Sequence, residues 1–333
     1  MKKILGIVMA MAMVIGAASG ASATDIKIKG YFDFAFGWYS NDAFFDSEET
    51  HLGSEETFDA AQRLRFQIDF VASEQLSGTV QFEIGTISWG TNGGDTWGGA
   101  GAGNGRGGAI GADGVNVETK HMYIDWIVPE TDLSIRMGIL PFALPFFANG
   151  AMSGNAILDD DLAGMVANYT FNEYVALNVA WLRPWNPFND DDFVRAAETD
   201  HDAIDLFALT LPLTFMDYGL EITPWGMYAG IGEVNDSREW IGGALSNTGD
   251  LGESGNAWWA GVSLNVTTWD PFFFAMDFMY GAYSSDDVTG FDNDRDGWAF
   301  SAKTGYKLEC LTPTLFGWYG SGAKDGTSPE TCP

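Results

Sequence analysis

Apolar side chains recur at every second residue along most of this chain, and few architectures tolerate that pattern at such length. The first run is Ile26, Ile28, Phe32, Phe34, Phe36 and Trp38, with Lys27, Lys29, Tyr31, Asp33 and Tyr39 between. Successive side chains of a strand point to opposite faces, so a period of two is a strand with one apolar face. Leu64, Phe66, Ile68 and Phe70 alternate with Arg63, Arg65, Gln67 and Asp69, and Val80, Phe82 and Ile84 alternate with Thr79, Gln81 and Glu83. Met122, Ile124 and Trp126 alternate with His121, Tyr123 and Asp125. Leu133, Ile135, Met137 and Ile139 alternate with Ser134, Arg136 and Gly138. Less clear runs cover Met165 to Phe171, Val175 to Trp181, Ile204 to Leu211 and Leu220 to Ile231. The alternation sharpens again at Trp258 to Val266, Phe272 to Tyr280 and Trp298 to Leu308, and a last stretch runs from Thr314 to Gly320. The count is thirteen strands.

The links between them alternate in length. Long ones at Ser40 to Thr57, Ile87 to Gly114, Pro141 to Leu162, Arg183 to His201, Gly232 to Asn256 and Ala282 to Gly297 are separated by short ones. The short links are Ala72 to Ser77, Pro129 to Asp132, Asn172 to Glu173, Pro212 to Tyr218, Thr267 to Pro271 and Glu309 to Pro313. An up-and-down meander with tight turns at one end and long loops at the other is the layout of a transmembrane antiparallel β-barrel. Lipid offers no hydrogen bonds, so a sheet that crosses it must pair every backbone group and close on itself. Trp38, Trp181, Trp258, Tyr280, Trp298 and Trp318 fall near the long-loop ends, while Phe70, Trp126, Tyr169 and Trp269 fall near the short-turn ends. Two such aromatic girdles are expected at the two membrane interfaces. A soluble β-sandwich would need neither ordered links nor aromatics collected at strand ends.

Charge and composition narrow the function. The net charge is −30, which excludes a nucleic-acid binder, because contact with phosphate needs a basic face. Three His and two Cys leave little for catalysis or transition-metal ligation. His51, His121 and His201 are too scattered for a triad, so no enzyme is expected. Residues 1–23 read as a signal peptide, with a basic start at Lys2 and Lys3, an apolar stretch from Ile4 to Ile15, and Ala21-Ser22-Ala23 as the cleavage site. The barrel domain is therefore expected over residues 24–333 of an exported protein.

Three segments carry a resemblance to a known family. Gln62 to Phe70 with Val80 to Gly85 is similar to the second and third strands of general porins. That hairpin, Arg136 to Pro145 and Trp318 to Gly322 together resemble the outer-membrane homotrimeric porins of sulfate-reducing bacteria. The resemblance implies a porin-like barrel of about 16 strands when complete, a homotrimer in the outer membrane of a Gram-negative bacterium, and passive passage of small hydrophilic solutes. Its other partners would be outer-membrane lipid and lipopolysaccharide. Thirteen is odd, and the chain ends at Pro333 in what would be a long loop, so it is expected to lack about three strands of such a barrel.

A pore works through the field and width of its narrowest part. Lys27, Lys29, Arg63, Arg65, Lys120 and Arg136 are read as facing inward. In general porins the third long loop folds into the barrel, and by that resemblance Asp159, Asp160 and Asp161 would stand opposite Arg63, Arg65 and Arg136. The plain alternative is a solvated acidic loop. Acids crowd the other long links, among them Asp42, Asp46, Glu48, Glu49, Glu55 and Glu56, then Asp190 to Asp192, then Asp286 and Asp287, so weak cation selectivity is expected.

Asp292, Asp294 and Asp296 with Gly297 match the opening of a calcium loop, but Lys303 stands where a bidentate Glu is required. An EF-hand is excluded, and a weak surface calcium site competes with a plain acidic turn. No other cofactor is expected. Gly103 to Gly108 matches a dinucleotide fingerprint without a following helix and reads as a loop, for which the porin resemblance implies a latch onto a neighbouring subunit. Cys310 and Cys332 lie on opposite sides of a strand and are not expected to pair. Two other functions compete: a sugar-type selective channel in which Tyr31, Tyr39 and Tyr123 form a stacking track, and a non-conducting surface protein.

Overall fold

The computed structural model describes residues 25–39, 57–89, 117–148, 154–186, 203–232, 254–285 and 295–321. The signal segment, Asp292, Asp294, Cys332 and most of the long links lie outside them. The chain forms two compact units, residues 1–124 and 125–333.

In the first unit β1 (Asp25–Tyr39), β2 (Thr57–Ser73), β3 (Leu76–Ser88) and most of β4 (Val117–Ile127) follow one another in chain order. The β1–β2 register sets Ile26 beside Phe70, Phe32 beside Leu64 and Asp33 beside Arg63. Like therefore meets like across the strands. The apolar row, here termed outer, carries Ile28 at 72% exposure and Phe32 at 66%. An exposed apolar area of that extent marks a surface that meets lipid or another protein.

The second unit contains β5 (Leu133–Ala143), β6 (Asp159–Asn172), β7 (Val175–Trp185), β8 (Ile204–Thr210) and β9 (Leu213–Phe215). After a single 3-10 turn at Met216–Tyr218 come β10 (Leu220–Ile231), β11 (Gly255–Val266), β12 (Phe272–Ser285), β13 (Arg295–Tyr306) and β14 (Thr314–Gly320). Neighbours are again consecutive and antiparallel. Both β8 and β9 pair with β7 and β10, flanking Leu211 and Pro212. Pro212 has no N–H to offer the ladder, so the two are one strand interrupted at the proline. Counted that way, thirteen strands stand among the described residues, as the alternation predicts.

Tight turns have local causes. Asn172 Oδ1 accepts from the backbone N–H groups of Tyr174 at 2.8 Å and Val175 at 3.0 Å, turning β6 into β7. At Gly219, φ is +52° and an added Cβ would lie 2.7 Å from Thr267 Oγ1, so only glycine fits there.

Two expectations change. Strands β5 and β6 reach further than the sequence indicates, so the third long link shrinks to residues 144–158 and Asp159–Asp161 belong to β6, paired with Ala143, Phe142 and Pro141. Strand register, not loop chemistry, holds these carboxylates. Trp318 pairs with Ser301, a buried residue of the opposite face, so it leaves the girdle. Tyr319 takes its place, with its ring 5.4 Å from that of Trp298. Aromatic and aliphatic residues occupy both faces of β14, which removes the polarity contrast that parity reading needs.

Candidate functional site

On β1 to β3 the row opposite the apolar one, here termed inner, is a continuous polar network. Arg63 binds Asp33 Oδ2 through Nη2 at 2.9 Å and Nε at 3.3 Å, and its Nη1 lies 3.9 Å from Glu83 Oε1. Arg65 pairs with the same Glu83 and donates to Tyr31 Oη at 3.1 Å. Lys29 Nζ lies 3.4 Å from Asp69, which also accepts from Gln67 and from Thr79 Oγ1, the latter at 2.9 Å. Gln81 donates to Gln67 at 3.3 Å. Arg63, Arg65 and Lys29 thus each face a carboxylate on a neighbouring strand. The result is a row of fixed dipoles, rigid and able to hold water.

The second unit is built differently. Its outer row is exposed and apolar, with Val179, Phe207, Leu209, Trp258 and Phe278. On β8 to β12 its inner row is also largely apolar and buried: Ile204, Leu206, Ala208, Trp225, Met227, Trp259 and Met279. Trp225 lies over Gly261, where an added Cβ would stand 2.4 Å from the indole. Residues 144–148 and 154–158 pack on this face, burying Leu144, Ala148 and Ile157. Leu144 N donates to Leu158 O at 3.0 Å and closes the neck of the segment. Asn155 braces it from within, donating to Pro145 O at 2.9 Å and accepting from Ile157 N at 2.8 Å.

Asp277 anchors the segment to β12. Its carboxylate, 1% exposed, accepts from Phe147 N at 2.9 Å and Ala148 N at 2.6 Å, and Ser301 Oγ lies 3.4 Å away. A buried carboxylate survives only when hydrogen bonds replace water, and two backbone donors do so here. Beside this anchor the segment, the end of β5 and strands β6, β7, β8 and β10 line a cavity of about 300 Å³. Sequence reading does not single out Asp277; its one signal is a lone acid at an inward parity between Ala275 and Met279.

The predicted site residues are distributed over both units. Arg63 and Arg65 lie in the network of β1 to β3. Arg136 makes two bonds to Asp125, at 2.8 and 3.1 Å. Its register partner on β6 is Val166, five residues from Asp161, so along the strand it is about 17 Å from the acidic triplet. Lys120 has the parity of Met122, Ile124 and Trp126, whereas His121, Tyr123 and Asp125 share the other face; it therefore sits in the outer row near the strand end, where a long side chain reaches water. Asp296 accepts from Tyr280 Oη at 3.0 Å. No cluster of three metal-ligating side chains occurs among the described residues.

No protein-family model matches the chain, and no curated protein does. Among solved structures it is similar to OmpF of Salmonella typhi, determined in complex with daunomycin, at 9% identity over 93% of this chain and 83% of that one, with a TM-score of 0.52. The outer membrane channel DcaP of Acinetobacter baumannii matches at 10% identity over 89% of this chain and 79% of that one, with a TM-score of 0.49. OccAB1 of the same bacterium matches at 11% identity over 93% and 70%, with a TM-score of 0.48. The likeness to OmpF fixes the fold as an all-β, antiparallel, porin-like β-barrel.

Proposed function

We propose that this chain is an outer-membrane general diffusion porin of a Gram-negative bacterium, exported by residues 1–23 and passing small hydrophilic solutes and ions down their gradients. One observation carries the reading: an exposed apolar row and an ion-paired polar row share the same strands, as a wall between lipid and water requires. The acidic balance of −30 supports weak selectivity for cations. Similarity of the three segments to the homotrimeric porins of sulfate-reducing bacteria supports a trimer seated against lipopolysaccharide.

Reconstitution of the full chain in a planar bilayer tests this. Stepwise ohmic conductance is expected, with a reversal potential in a salt gradient that favours the cation. A silent bilayer would indicate a non-conducting surface protein, and an anion-favouring potential would overturn the selectivity. A sugar-type channel is the second reading, supported by the exposed Tyr31 ring beside Arg65, and saturable block by one sugar would reveal it. For Asp292, Asp294 and Asp296 we propose a weak surface calcium site, to be abandoned if Asp294→Ala leaves calcium-dependent melting unchanged.

A further inference from the structure

The cavity beside the docked segment has a feature that the network of β1 to β3 lacks, a carboxylate without a cation. Phe142, Phe147 and Val166 supply part of an apolar wall, and Thr210, Thr223 and Glu221 supply polar atoms. Glu221 lies on the inner row of β10, flanked in register by Thr214 and Asn265, neither of them charged. No described cation pairs with it. Arg183 and Lys307 are committed to Asp205 and Asp270, and Arg136 to Asp125. Lys303 stands three strands away in the same register row, about 14 Å at the usual strand spacing.

We infer that this cavity is a binding station for amphipathic organic monocations, with the ammonium at Glu221 and an aromatic or branched aliphatic body against Phe142 and Phe147. The inference rests on the reading of this face as a solute passage and specifies which solutes pause there. Three terms combine. An apolar body gains by leaving water, phenyl faces attract a cation, and the unpaired carboxylate acquires the charge-assisted partner it lacks. Anions are repelled by the same carboxylate. Size allows it, since a cavity of about 150 Å³ already holds benzene.

Benzylammonium is the probe, titrated by calorimetry into the full chain in detergent and, separately, added to the reconstituted protein in a planar bilayer. Saturable binding is expected, with methylammonium and benzoate at least about tenfold weaker, or about 1.4 kcal/mol. Glu221→Gln should weaken benzylammonium about tenfold as well. Ala208→Trp, which fills the cavity, should abolish binding; an unchanged melting transition in both variants excludes misfolding. Equal affinity in the wild type and Glu221→Gln, or no saturable binding, overturns the station. Current that benzylammonium fails to block, in a protein that does not bind it, removes the station and leaves the passage intact. Binding without any current removes the passage reading and leaves a cation site.

Discussion

The inner rows of the two units differ in what neutralises them. On β1 to β3, Asp33, Arg63, Glu83, Arg65, Lys29 and Asp69 satisfy one another across strands and remain partly open to water. On β8 to β12 the row is Ile204, Leu206, Trp225, Met227, Trp259 and Met279, covered by protein. The first surface is organised by charge, and losing one of its partly exposed pairs costs little stability. The second is organised by packing around a segment with a single buried ionic anchor. Perturbation should therefore act on selectivity in the first unit and on stability in the second.

The largest effect should come from Asp277. Asp277→Ala leaves two backbone N–H groups without an acceptor in a buried site, each costing about 1–3 kcal/mol. For the two groups together a loss of about 2–6 kcal/mol in the stability of the docked segment is expected, read as faster proteolysis near residues 144–158 and as noisier, larger single-channel currents. Asp277→Asn keeps one good acceptor and should fall between. If Asp277→Ala behaves like the wild type in both assays, the anchor is not what holds the segment.

Next is Leu206→Ala. Leu206 is fully buried, and removing such a side chain costs about 2–5 kcal/mol through lost burial and the cavity left behind. The midpoint of urea unfolding in detergent should drop accordingly. Gln67→Ala, at an inner position of the other unit, should move the midpoint by less than about 1 kcal/mol. Equal shifts in the two variants would erase the distinction between the faces.

The same contrast explains what could be read from the sequence. Alternation is legible where polarity differs between faces, so Ile26 to Trp38 and Leu64 to Phe70 give their strands and their outward side directly. Along Ile204 to Leu209 both faces are apolar, because one meets protein and the other is exposed, and the period blurs. The interruption at Pro212 is local chemistry that propensity reveals only with the partner strand in place. Asp277 could not be recognised as an anchor, since its partners, Phe147 N and Ala148 N, are about 130 residues away and are backbone groups. Arg63 and Arg65 were recognisable as inner cations, but their partners Asp33 and Glu83 follow from register, which the hydrophobic pattern sets only to the correct face.

Arg63→Gln should have a smaller energetic effect and a clearer functional one. Partly exposed pairs contribute about 0–1 kcal/mol, so stability should barely change. Losing a cation while Asp33 and Glu83 remain makes the inner row more negative. The reversal potential should move toward the cation, and Asp33→Asn should move it the other way. The shift should shrink at high salt, where these charges are screened. Parallel shifts in both variants would show that this row does not face the conducting path.

The smallest effect is expected at the edge of the second unit. Cys310 is exposed in the short link between β13 and β14, and Cys310→Ser should change the unfolding midpoint by no more than about 0.5 kcal/mol. Its value lies in orientation. With Cys332→Ser leaving one thiol, a bulky impermeant maleimide should miss Cys310 on intact cells and label it once the outer membrane is opened, because short links belong on the periplasmic side of such a barrel. Labelling on intact cells would invert the chain in the membrane. The long acidic links would then face the periplasm, and an acidic vestibule on the outer surface could no longer be the origin of cation preference; any remaining preference would have to come from the inner rows themselves.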